Sequence, residues 1–77
     1  MPRGFYNWTA EDAVRFLKAR GFSFNHSRGS HHFYVGRAGG AFRQACVPFH
    51  GSQTLKPRTL KSIIRQSGIS PAEWIAG

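Results

Sequence analysis

The chain has 77 residues, 40% hydrophobic and 14% aromatic, with a single cysteine and a formal net charge of +8. At this length only one small core can form, burying roughly 60% of the unfolded surface, and the lone Cys46 excludes an internal disulfide framework. Charge excludes more: eleven Lys and Arg face three acids, and residues 13–72 contain no carboxylate, so that stretch cannot supply a paired-carboxylate hydrolase or a nuclease that holds Mg²⁺ on acids.

Residues 1–77 read as a single domain without repeats or linkers. No apolar run approaches the ~20 residues of a membrane span, and the opening Met1-Pro2-Arg3-Gly4-Phe5-Tyr6-Asn7 lacks the apolar block of a signal peptide. A cytoplasmic location is therefore expected. Residues 1–8 are irregular, with Trp8 as a lid on the helix that follows. Thr9 is a good N-cap, Asp12 sits three residues on, and Glu11 and Asp12 suit the positive end of a helix dipole. Ala10, Ala13, Val14 and Leu17 keep the spacing of a buried helical face, which Gly21 should end.

Phe22-Ser23-Phe24-Asn25-His26 alternates like a strand, and Arg28-Gly29 is a turn. A second strand is expected over residues 30–35, a glycine loop over 36–40, and a third strand from position 41 or 42 to 49. Residues 50–54 read as loop. Pro57 then opens a second helix whose apolar stripe is Leu60, Ile63 and Ile64 and whose stop is Gly68, with a last helical turn after Ser70-Pro71. The expected fold class is α+β, in the order α-β-β-β-α, with an antiparallel meander covered by helices on one face.

All four histidines lie within residues 25–50. His26 reads as a surface strand residue. His31 and His32 are adjacent, so they point to opposite faces of a strand. Parity with Phe33 and Val35 places His31 at the rim of the core, and His32 with Tyr34 on the open face; parity does not select the functional one. Arg58, Lys61 and Arg65 share one helix face, with Lys56 ahead of them. Lys56 and Arg58 stand at the positive end of the dipole, where cations are disfavoured, which suits a phosphate site. The spacing of the histidines and Cys46 matches no familiar zinc pattern, so no metal is expected, and a mid-strand Cys46 reads as an inert thiol. Imidazole and cations alone can still cleave RNA, whose 2′-hydroxyl is its own nucleophile.

Gly29-Ser30-His31 before an aromatic strand, then Val47-Pro48-Phe49-His50, Leu55-Lys56-Pro57-Arg58-Thr59-Leu60 and Ile63-Ile64-Arg65-Gln66-Ser67-Gly68-Ile69-Ser70 together resemble the HicA, or YcfA-like, mRNA interferase toxins. The resemblance spans nearly the whole chain. It implies a double-stranded-RNA-binding-domain-like fold, a three-stranded sheet packed on two helices. It also implies metal-independent cleavage of mRNA and silencing by a HicB antitoxin. The catalytic histidine that follows the Gly-Ser pair corresponds to His31, with His32 in reserve and a bulge after Gly29 able to reconcile the two. Around it, Arg28, Ser30, His50, Lys56, Arg58, Lys61 and Arg65 are candidates to hold RNA, Tyr34 to stack on a base, and the product to end in a 2′,3′-cyclic phosphate. The alternative is a non-catalytic RNA-binding module of the same fold; a weaker one is a partner protein that only docks an acidic chain.

Overall fold

A computed structural model describes residues 4–50 and 53–76. Residues 1–3 of the expected irregular lead-in and Gly51 and Ser52 of the expected 50–54 loop lie outside the described residues. Helix α1 (Ala10–Ala19) opens with the anticipated capping box. The Thr9 hydroxyl accepts from the Asp12 N–H at 3.1 Å, and the Asp12 carboxylate accepts from the Thr9 N–H at 3.0 Å, satisfying two otherwise orphaned donors. The expected stripe Ala10, Ala13, Val14 and Leu17 is buried, and Phe16 joins it. Phe16 lies beside that stripe in sequence, but Trp8 and Trp74 close over it: its ring stacks on Trp74 at 4.1 Å and meets Trp8 edge-on at 6.5 Å.

Three strands follow, β1 (Ser23–Arg28), β2 (His31–Ala38) and β3 (Ala41–Pro48), as an antiparallel meander in that order. Two boundaries depart from the sequence reading. The β1–β2 turn is Gly29-Ser30, and β2 continues through the expected glycine loop to Ala38, leaving only Gly39-Gly40 as a turn. Both of those glycines have positive φ (63° and 78°), the demand of a two-residue hairpin. Gly36 stays in the strand, paired with Arg43, because the Phe22 ring occupies its missing side-chain space: a Cβ there would lie 2.8 Å from that ring.

A bulge interrupts β1 at Asn25: Phe24 pairs with Tyr34, but His26, not Asn25, pairs with Phe33. The extra residue re-phases the strand, so Phe24 shares the helix-covered face with Tyr34 while His26 shares the open face with Phe33. The β2–β3 register runs unbroken from His31↔Pro48 to Ala38↔Ala41, so no bulge follows Gly29.

Helix α2 (Pro57–Ser67) and the short α3 (Pro71–Ala76) complete the chain. Leu60, Ile63 and Ile64 join α1 and the inner residues Tyr34, Ala45 and Val47 in one core. Ser67 is fully buried yet satisfied: it donates to the Ile64 carbonyl and accepts from the Ile69 N–H and Trp74 Nε1. The run before α2 is pinned to the start of α1 by a Thr9↔Thr54 bridge and by the Leu55 N–H on the Trp8 carbonyl. Those bonds fix where α2 begins.

Candidate nucleic-acid interface

Cross-strand neighbours share a face, so Arg28, His31 and Pro48 form one row across the open face, at the end of the sheet. The Phe49 N–H donates to the Ser30 carbonyl at 2.8 Å, tying the Gly29-Ser30 turn to the chain leaving β3. That chain leads to a shallow pocket of about 380 Å³ lined by Pro48, His50, Lys56 and Thr59 among others. Pro48 thus links two groups of predicted residues, Arg28, Ser30 and His31 at the sheet end and His50 and Lys56 in the pocket. All five are exposed.

Lys56 is itself the N-cap of α2, in extended conformation, with no side-chain bond to the helix and no acid in the first turn. The first-turn N–H groups lack a capping side chain, and Lys56 and exposed Arg58 add positive charge to the same end. A helix start of this composition favours an anion.

The structure corrects the assignment of the neighbouring imidazoles to faces. His31 is exposed on the open face, whereas His32 is half-buried on the helix side, 4.2 Å from the Phe49 ring, in a cleft that Glu11, Arg15 and Lys18 also line. The parity argument failed because both alternating sets in β2 are apolar, and it is Tyr34, opposite Ala45, that enters the core. Tyr34 is correspondingly 5% exposed, and burial raises the pKa of its phenol. Little of it reaches the surface, at the wall of the cleft it shares with His32 and Phe49, so it offers a base no platform and the expectation that it stacks on RNA is withdrawn.

The basic stripe of α2 also divides. Lys61 and Arg65 line a second, mostly apolar groove of about 540 Å³ with Phe5, Ile64, Ile69 and Pro71, and Lys61 Nζ lies 5.3 Å from the Phe5 ring centre. Thr59, not these cations, is the α2 side chain that reaches the histidine pocket. His26 is exposed, as expected, but has a ring partner that parity did not reveal: it stacks on Phe33 at 4.5 Å and 10°, with its Nδ1 3.0 Å from the Asn25 amide nitrogen. Only the Asn25 bulge brings the two rings to one face, and a bulge has no signature in hydrophobic periodicity.

Burial raises the pKa of the Cys46 thiol, which favours the unreactive protonated form. Among the described residues no three His, Cys, Asp or Glu side chains come together as metal ligands, and no helix is long and apolar enough to cross a membrane. A family model described as the HicA toxin of bacterial toxin-antitoxin matches residues 10–69, from the first residue of α1 to just beyond α2. No curated protein matches the chain.

Proposed function

The chain belongs to the HicA toxin family, as the toxin of a toxin–antitoxin system, and from that premise we propose that it is a metal-independent endoribonuclease that cleaves mRNA by histidine acid/base catalysis. The observation that carries this reading is the convergence of Arg28, His31, His50 and Lys56 at one end of a sheet that contains no carboxylate. A polyanion meets no like charge there, and titratable imidazoles stand beside the cations that would hold its phosphates.

In the proposed reaction the RNA 2′-oxygen loses its proton and attacks the adjacent phosphorus, and the bond to the 5′-oxygen of the next nucleotide breaks as that oxygen takes up a proton. The products are a 2′,3′-cyclic phosphate and a 5′-hydroxyl end. His31 moves one of these protons. Its exposure and its place beside Arg28 suit that role better than the half-buried His32 against Phe49, which remains the reserve. Arg28, Lys56 and Arg58 hold phosphates around the break, and Lys61 and Arg65 attract the strand further along. Cytoplasmic mRNA is the substrate, and a HicB-type antitoxin silences the toxin.

The test is to incubate the purified chain with mRNA in EDTA and to analyse the ends formed. His31→Ala is expected to slow cleavage about 10²–10⁴-fold, the usual contribution of a positioned acid or base, with circular dichroism unchanged. His32→Ala is expected to shift the melting temperature more than the rate. Cleavage intact in both variants overturns the assignment; binding without cleavage by the wild type leaves the RNA-binding module as the function.

A further inference from the structure

Withdrawing Tyr34 leaves the cleavage site without a surface for a base, and the open face of the sheet carries one that neither the family match nor the sequence assigns. We propose that the stacked rings of Phe33 and His26 are a platform that seats a nucleobase of the RNA strand next to the phosphate handled by His31. The inference rests on the endoribonuclease reading for the identity of the strand, but binding alone can test it.

Three observations carry it. The first is geometry. His31 and Phe33 are two residues apart on β2 and so project from one face, roughly 7 Å apart along the strand. A single strand of RNA with one phosphate at His31 can therefore lay a neighbouring base at Phe33.

The second is the build of the ring pair. His26 covers one side of Phe33 at an interplanar angle of 10°, and the β3 neighbour on the other side is the small Cys46. The Asn25 amide beside His26 Nδ1 holds the imidazole in that orientation. A flat aromatic surface of this kind accepts any base through its π-face, and sheet aromatics used this way are a common device for single-stranded RNA.

The third is charge. The platform lies between Arg28 and Arg37 on a sheet without acids, so the same face attracts a phosphate backbone. An acidic protein segment would find the cations too, but beside the ring pair the open face offers only half-buried Val35, Cys46 and Pro48, which give it no continuous apolar floor. The groove beside Phe5 and Ile64 offers that kind of floor, and it is a separate surface.

The experiment measures fluorescence anisotropy of a short 2′-O-methyl RNA, which cannot be cleaved, and of the same sugar–phosphate chain lacking bases. Phe33→Leu is expected to weaken binding of the base-bearing strand about ten-fold, in the range of one lost stacking contact, and to leave the baseless strand unaffected. Phe33→Tyr keeps a ring and is expected to bind as the wild type does, while His26→Ala loses a few-fold. Equal affinity of Phe33→Leu and wild type for the base-bearing strand overturns the platform, as does an equal loss for both strands. Cleavage of ordinary mRNA is scored separately. A wild type that binds through Phe33 but does not cut RNA overturns the catalytic reading and keeps the platform; one that cuts while Phe33→Leu binds unchanged does the reverse.

Discussion

At the start of α1, Thr9 and Asp12 close a capping box and Glu11 adds a second carboxylate; at the start of α2, Lys56 stands in the place of Thr9 and Arg58 in the place of Glu11, and no side chain caps the helix. The short α3 follows the first pattern, with Glu73 in its first turn beside the Ser70 hydroxyl. All three acids of the chain thus lie in the first turns of α1 and α3. Two starts are satisfied from within. The third has no side-chain cap from Lys56, no acid in its first turn and two cations, an unfavourable arrangement for an isolated helix that an external anion relieves. A helix end built against the stability rule, in a chain that obeys the rule elsewhere, is where function is to be sought.

The contrast makes opposite demands on stability and binding, so single substitutions can break it. The largest effect is expected from Lys56→Glu. RNA affinity should fall ten-fold or more, and the dependence of log affinity on log salt should become shallower by about one phosphate contact. Helix stability should rise by about 0.3–1 kcal/mol from the improved dipole interaction. Filter binding across a salt series and chemical denaturation read the two arms; unchanged affinity would remove α2 from the interface. Thr9→Ala should do the converse, costing about 1 kcal/mol of stability, or some 4–8 °C in melting temperature for a chain of this size, with cleavage per folded molecule unaltered. A loss of cleavage there would show that the two helix starts are not separable.

The smallest effect concerns Glu73. The Arg20 guanidinium, by hydrogen bond and charge, holds its carboxyl below the ordinary range. A carboxyl more acidic in the folded than in the unfolded chain stabilises the fold above the ordinary carboxylate range and loses that contribution as pH falls towards the lowered value. Melting curves of the wild type should therefore drop slightly across that acid window, and those of Glu73→Gln should drop less. Parallel curves would mean that the pair is too solvated to matter, a common outcome for exposed ion pairs.

Helix boundaries and strand order were legible because each has a local cause: Thr9 with Asp12, Pro57, Gly68, and the apolar spacing of Ala10, Ala13, Val14 and Leu17. The gathering of His31, His50 and Lys56 was legible only through the family resemblance, because nothing local brings three distant segments to one end of a sheet. The faces of β2 were misread. Phe33 and Val35 on one side and Tyr34 on the other offer the core similar surface, and the choice is made at a distance, by Phe22 over Gly36 and by the small Ala45 opposite Tyr34. The stripe of Arg58, Lys61 and Arg65 was legible as one helix face, but where that face lies depends on how α2 rolls against β3. That roll follows the burial of Leu60, Ile63 and Ile64 and is tied to the strand by the Gln66 side chain on the Cys46 N–H.

The Gln66 bond has a consequence for the molecule on its own. β3 is a border of the sheet, and a border with unclaimed backbone groups is a template on which another copy can polymerise. Gln66 occupies the Cys46 donor at 2.8 Å and is itself steadied by Ser62, so α2 acts as a stopper along that side. The opposite border is broken by the extra residue in β1 and carries Arg28. Neither rim presents an unbroken ladder, so neither offers another copy a continuous edge to extend.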